Sequence, residues 1–131
     1  MKTPAWIDAV KFDEKGLVPA VVQDVADGTV LMVAWMNRQA LRETAVTRRG
    51  VYWSRSRGRL WRKGETSGNE QEVAEIFLDC DGDVVLLKVR QKGATACHTG
   101  RRTCFHRRLR SAVDWETIGD PLFDPVQVYK K

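Results

Sequence analysis

Two Asp-Gly dipeptides, Asp27-Gly28 and Asp81-Gly82, each lie between runs of apolar residues. An Asp-Gly pair in that setting is a strong short-range hairpin signal, because glycine adopts positive φ without a Cβ clash. The chain is therefore expected to be built mainly from antiparallel strands. The first hairpin joins a strand over 17–25 (LVPAVVQDV) to one over 30–36 (VLMVAWM). The second of these is apolar throughout, which predicts a central strand covered on both faces. The second hairpin joins strands over about 72–80 and 83–91. Between the hairpins, Asn37 is placed to cap a helix, RQALRETAVTRR (38–49), with Gly50 as its stop. The helix stripe is thin: Leu41 and Ala45 lie one turn apart, flanked by Ala40 and Val46. VYWSRSR (51–57) alternates as a strand, with Tyr52, Ser54 and Ser56 on one face and Trp53, Arg55 and Arg57 on the other. LWRKGETSGNEQ (60–71) reads as a polar loop. The chain after Gly93 reads as irregular, and 111–131, with Pro121 and Pro125, as a surface wrap. Mostly antiparallel strand with one principal helix is an α+β class.

The length, 131 residues, suits a single domain over 1–131. The longest apolar run, Val30 to Met36, is too short to span a bilayer, and Asp8 interrupts any secretory apolar stretch. These features, with an odd number of cysteines, predict a cytoplasmic protein with reduced thiols. The net charge of +5 favours an anionic ligand without choosing between a nucleotide and a nucleic acid.

The chemistry is concentrated in LDCDGDVVLLKVRQKGATACHTGRRTCFHR (78–107). This segment holds all three cysteines, Cys80, Cys97 and Cys104, and both histidines, His98 and His106. Cys80 stands within the acids Asp79, Asp81 and Asp83. On a continuous strand, Cys80 would share a face with Ile76 and Leu78, and the acids would point the other way. Thiolate sulfur suits zinc, whereas carboxylate oxygen suits magnesium or calcium, so two metal sites of different character are expected here. The bland alternatives are a buried apolar Cys80 and a solvated acidic turn. An EF-hand is excluded, since its loop would need Gly where Val84 stands and Glu where Arg90 stands. No C-x₂-C pair exists, so zinc ribbons and thioredoxin-type redox motifs fit poorly. Three thiolates leave one zinc position open for water, the arrangement of a hydrolytic site. His98 adjoins a ligand and is a candidate fourth ligand or proton carrier.

A second constellation is WSRSRGRLWRKGETSG (53–68), in which Arg55, Arg57, Arg59, Arg62 and Lys63 alternate with Ser, Gly and Trp. Guanidinium forks and hydroxyls are suited to phosphate oxygens, and Trp53 and Trp61 to stacking on a base. A basic solvated loop is the bland reading.

Taken in order, VLMVAWMN (30–37), YWSRSRGRLWRKGETSGN (52–69), LDCDGD (78–83) and ACHTGRRTCF (96–105) resemble the phosphoribosyl-AMP cyclohydrolases of histidine biosynthesis. Thr103 stands where that family commonly has Ser. The resemblance implies a homodimeric pseudo-barrel α+β fold and hydrolytic opening of the adenine ring of 1-(5-phosphoribosyl)-AMP at the N1–C6 bond. It implies the form without the fused pyrophosphohydrolase domain of some relatives. It also implies zinc, one per subunit, held by Cys80, Cys97 and Cys104 drawn from both chains, and magnesium held by Asp79, Asp81 and Asp83. In that chemistry His98 is the candidate for carrying a proton to N1. Trp53, Ser54, Arg55, Ser56, Arg57 and Lys63 are the candidate substrate contacts. No nucleic acid or membrane partner is expected. A zinc nucleobase deaminase fits less well, because neither H-x-E nor P-C-x-x-C occurs. The non-enzymatic alternative is a zinc-stabilised nucleic-acid-binding module using Arg101, Arg102, Arg107, Arg108 and Arg110.

Overall fold

The structure, a computed structural model, describes residues 5–64, 70–92 and 101–119. A short 3-10 helix, Ala5–Ala9, leads into β1 (Val18–Asp24) and β2 (Val30–Met36), joined at Asp27-Gly28 as the sequence predicts. The helix α1 is Arg38–Thr47, and the Asn37 side chain accepts the Ala40 N–H at 2.8 Å as its N-cap. There follow β3 (Val51–Ser54), β4 (Arg59–Arg62), β5 (Gln71–Leu78) and β6 (Val85–Gln91), then a separate hairpin of β7 (Arg107–Arg110) and β8 (Asp114–Thr117).

The main sheet has the order β4-β3-β2-β1-β6-β5. All its pairings are antiparallel except β1 with β6, which run parallel, with Ala20 opposite Val85. A parallel neighbour needs a crossover, and the chain from β2 through α1 to β5 supplies it. The sheet curls. Where it comes round on itself, Arg49 bridges to Glu72, Gly50 N–H donates to Gln71 C=O at 3.2 Å, and Val73 N–H donates to Arg48 C=O at 2.9 Å. The first residues of the outer strand β5 thus meet the approach to β3, giving an α+β half-barrel with one helix. Its interior is lined by Ile7, Val18, Val22, Leu31, Met36, Leu41, Tyr52, Val85, Leu87 and Val89, all essentially buried.

Several expectations need correcting. The helix stops at Arg48, which takes the left-handed conformation itself (φ 60°), not at Gly50. Gly50 is required for another reason: a Cβ there would lie 2.6 Å from Gln71 Oε1 and 2.9 Å from the Tyr52 hydroxyl. Val46 is not part of the buried stripe; Ala40, Leu41 and Thr44 are, and Val46 is exposed. The strand over 51–57 ends at Ser54, and Arg59–Arg62 within the expected loop forms β4. β2 is central, but its outer face is not fully covered, since Val33 is 48% exposed. The part of the expected surface wrap that is described, 111–119, contains β8, paired with β7. Residues 120–131 lie outside the described residues.

Candidate active site

β5 ends at Leu78 and β6 starts at Val85, so Asp79 to Val84 form a turn and not strand. Strand parity therefore does not sort Cys80 from the acids, as the alternation had suggested. The turn is organised by Asp79. Its carboxylate Oδ1 accepts the Asp83 N–H at 2.9 Å and the Val84 N–H at 3.2 Å, and its carbonyl accepts the Gly82 N–H at 3.0 Å. Gly82 occupies φ +77°, and a Cβ there would also meet the Ala9 carbonyl at 2.9 Å. The Lys11 N–H donates to Gly82 C=O at 2.7 Å, so the N-terminal segment clasps the turn from outside. Nothing in the local sequence announced that contact.

The turn gathers one oxygen each from Asp79, Asp81 and Asp83 within 4.8 Å of one another, all exposed. A hard cation with oxygens at about 2.1–2.5 Å spaces its ligands by roughly 3–5 Å, so these carboxylates fit magnesium or calcium in kind and spacing. Their titration reflects the crowding. Desolvation pushes the Asp79 carboxyl up, but the N–H groups of Asp83 and Val84 outweigh it and hold it below the ordinary range. The hydrogen bond to Asp79, then desolvation, then repulsion from Asp79 and Asp81 push Asp83 up. A divalent cation would relieve that repulsion.

Cys80, in the middle of this turn, is exposed and not a buried apolar residue. Cys104 is exposed as well, although cysteine is among the residues most often buried. Two exposed thiols are consistent in kind with zinc ligation. Cys97 and His98 lie outside the described residues.

The segment before Cys104 is tied firmly to the β1–β2 hairpin. Arg102 Nη2 donates to Asp24 and to Asp27, both at 2.9 Å, and its Nη1 donates to the Thr29 hydroxyl at 3.0 Å. The Thr103 hydroxyl donates to the Val30 carbonyl at 2.7 Å, and the Cys104 N–H donates to the Leu31 carbonyl at 2.7 Å. A hydroxyl at 103 is what this contact requires, so Thr in place of Ser preserves it. Sequence reasoning missed Arg102 and Thr103 as the residues that place Cys104.

The registers put Cys80 and Cys104 far apart within one chain. Leu31 lies beside Met32, which pairs with Val22, and Val22 pairs with Leu87 and Leu87 with Ile76. Cys104 is therefore level with the middle of β5, four residues before Cys80. It is also three strands away, since β2, β1, β6 and β5 are successive neighbours. At about 3.3 Å per residue and about 4.8 Å per strand, the path between them along the curled sheet is roughly 20 Å.

The Arg-Ser segment is a turn between β3 and β4, and it points toward the Cys104 end of β2, away from the acidic turn. Ser54 caps it: its carbonyl accepts the Gly58 N–H at 2.8 Å and its Oγ the Arg57 N–H at 3.2 Å, with the Ser56 hydroxyl at 3.4 Å. Arg55 folds over the Trp35 ring at 4.6 Å, beside the Trp35–Trp53 cross-strand pair. Arg57 and Arg59 are exposed. Arg62 is committed to Glu43 by two hydrogen bonds of 2.6 and 2.7 Å, and Trp61 packs on Tyr52 at 5.0 Å within the core region. Arg62 is thus oriented by Glu43, and Trp61 by its packing on the core. Lys63 contributes its N–H to the Gly50 carbonyl at 2.9 Å, which fixes its place at the seam.

The comparisons agree with these motifs. The phosphoribosyl-AMP cyclohydrolase family model matches residues 32–106. The chain is 62% identical to the phosphoribosyl-AMP cyclohydrolase of Bordetella parapertussis over 130 residues, covering 97% of each chain. It is 58% identical to that of Thiobacillus denitrificans (96% of this chain, 98% of the relative) and 55% identical to that of Marinobacter nauticus (96% and 91%). The chain belongs to the phosphoribosyl-AMP cyclohydrolase family. As a member of this family it is a hydrolase, and the matched region contains most of β2, the Arg-Ser turn, the acidic turn and the segment that carries Cys104. The basic residues invoked for a nucleic-acid module are largely neutralised: Arg102 by Asp24 and Asp27, Arg108 by Glu116 and Arg110 by Asp114. Among the described residues no helix is long and apolar enough to cross a membrane.

Proposed function

We propose that this cyclohydrolase opens the adenine ring of 1-(5-phosphoribosyl)-AMP in histidine biosynthesis, breaking the N1–C6 bond to give the formimino-aminoimidazole carboxamide ribotide. The observation that carries this reading is the Asp79–Asp83 turn with an exposed Cys80 at its centre, in a chain that belongs to this family. Cys80, Cys97 and Cys104 would hold zinc, and Asp79, Asp81 and Asp83 would hold magnesium. Bound zinc supplies a water whose pKa is lowered toward neutrality. Ring opening adds the elements of water: oxygen bonds to C6, the C6–N1 bond breaks, and N1 receives a proton. His98, next to Cys97 in sequence, delivers that proton. The substrate carries two phosphates, and Arg55, Arg57 and Lys63, with the hydroxyls of Ser54 and Ser56, orient them. Trp53 stacks on the base.

The zinc ligands come from two subunits. Thiolates on one zinc stand about 4 Å apart, and the three strand spacings that lie between Cys80 and Cys104 along the sheet of one chain support pairing Cys80 of one copy with Cys97 and Cys104 of another. A two-fold axis would also bring the Arg-Ser turn of one copy toward the acidic turn of the other. Mixing an inactive Cys80→Ser chain with an inactive Cys104→Ser chain tests this. Each heterodimer would keep one intact site and recover about half of a wild-type dimer's turnover. No recovery, with heterodimers shown to form, rules out the shared site. Ring opening that survives complete removal of metal rules out the zinc reading.

A further inference from the structure

Arg55 is held in an unusual way for this chain. Arg49, Arg62, Arg90 and Arg102 each end on a carboxylate. Arg55 ends on a ring: its guanidinium lies 4.6 Å from the centroid of Trp35. Among the described residues its side chain has no ion pair and no hydrogen bond. The difference matters chemically. A carboxylate occupies N–H donors and cancels the charge. A ring face attracts the cation through its quadrupole and leaves the planar fork of donors free.

The ring is itself fixed. Trp35 pairs with Pro19 of β1 on one side and with Trp53 of β3 on the other. Residues directly opposite on neighbouring strands share a face. Met36, the next residue, is buried in the interior, so Trp35, Pro19 and Trp53 lie on the outer face of the sheet. Each of the three is half-buried, and the indole is flanked on both sides. Arg55 follows Trp53 by two residues and reaches back across the β3–β2 pair to this platform. Ser54 and Ser56, whose hydroxyls stand 3.4 Å apart, flank Arg55 in the same turn. A fixed ring, a pinned cation with free donors and two hydroxyls are together suited to a phosphate group.

We propose that Trp35 is a positioning residue for substrate binding: its indole holds the Arg55 guanidinium in place, with its donors free for a phosphate of 1-(5-phosphoribosyl)-AMP. Arginine is a long, rotamer-rich side chain, and a ligand that must order it binds more weakly. Trp35 does that ordering before the substrate arrives. The proposal rests on the reading of the Arg-Ser turn as a phosphate contact, and its test separates the two.

The test uses the full-length, metal-loaded enzyme with tryptophans of increasing fluorine content at position 35. Fluorine withdraws electron density from the ring face and barely changes its shape, so the fold is kept while the hold on the cation weakens. Log KM should rise with each added fluorine while kcat stays constant, the pattern of lost uniform binding. Trp35→Leu, which removes the ring, should raise KM about 3–10-fold, the effect of leaving one long side chain to be ordered by the ligand. Trp35→Tyr, which restores a ring face, should recover most of that loss. Arg55→Ala should raise KM by itself, and in that background the fluorine series should be flat. A flat series in the parent, with KM still raised by Arg55→Ala, overturns the role of Trp35 and leaves the phosphate reading standing. A slope that persists in the Arg55→Ala background means that the ring meets the substrate directly, and this also overturns the proposal. If Arg55→Ala leaves KM unchanged, Arg55 is not a substrate contact, and both readings fall.

Discussion

Replacing Gly50 by alanine tests what holds the curled sheet together. The added Cβ would sit 2.6 Å from Gln71 Oε1 and 2.9 Å from the Tyr52 hydroxyl, and both neighbours are buried. They also bond each other at 2.5 Å, and Gln71 Nε2 reaches Met32 Sδ at 3.2 Å, so neither can swing away without breaking a buried contact. Overpacking of this kind costs about 1–3 kcal/mol. Loss of the buried Tyr–Gln hydrogen bond adds about 1–3 kcal/mol. The expected destabilisation is therefore about 2–6 kcal/mol. That is a large share of the roughly 5–15 kcal/mol available to a domain and corresponds to a Tm lower by about 8–24 °C. Thermal and urea unfolding followed by circular dichroism measure it. A double-mutant cycle locates the cause: in a Gln71→Ala background, which removes the nearest contact, Gly50→Ala should cost at least about 1 kcal/mol less. If Gly50→Ala lies within about 0.5 kcal/mol of the parent, or costs the same in both backgrounds, the close-approach argument is wrong.

Three further outcomes are expected. Asp81→Asn should lower magnesium affinity or the rate while leaving bound zinc unchanged by elemental analysis; aggregation at ordinary temperature would mean the acid serves only the turn. His98→Ala should lower kcat by about 10²–10⁴-fold with little change in KM, and an unchanged rate would remove it from proton transfer. The backbone N–H of Thr29, then its side chain and the charge of Arg102, hold the Asp27 carboxyl below its ordinary value of 3.8 despite some desolvation. Because the folded value is the depressed one, the stabilisation is fully present above that ordinary value and fades as pH falls through the folded value. Urea unfolding of the parent and of Asp27→Asn should therefore differ at neutral pH and converge in acid; a constant gap would refute the linkage.

The features legible in the sequence are those determined by neighbours along the chain. Asp27-Gly28 makes a hairpin because Gly28 takes φ +79° there, and Asn37 caps α1 because its side chain reaches an N–H three residues on. The Asp79–Asp83 turn is equally local, and its acids meet because one carboxylate collects the N–H groups four and five residues later. The order of the four motifs identified the family for the same reason: each motif is a short contiguous segment. The second exposed hairpin was invisible, because its turn places Ser111 and Ala112 at φ 48° and 55° where glycine or asparagine would have signalled it.

What only the tertiary structure decided involves residues distant along the chain. The parallel pairing of β1 with β6, the need for glycine at 50 opposite Gln71, and the anchoring of Cys104 by Arg102 on Asp24 and Asp27 each join residues more than 20 positions apart. No dihedral preference or local hydrogen bond encodes such contacts; they arise from the curl of the sheet and the burial of its interior. The same holds for the candidate site. The sequence by itself determined which donors it contains, since ligand chemistry belongs to residue type. Tertiary structure separated Cys80 from Cys104 by three strands, because strand order and register, not spacing along the chain, set where side chains stand.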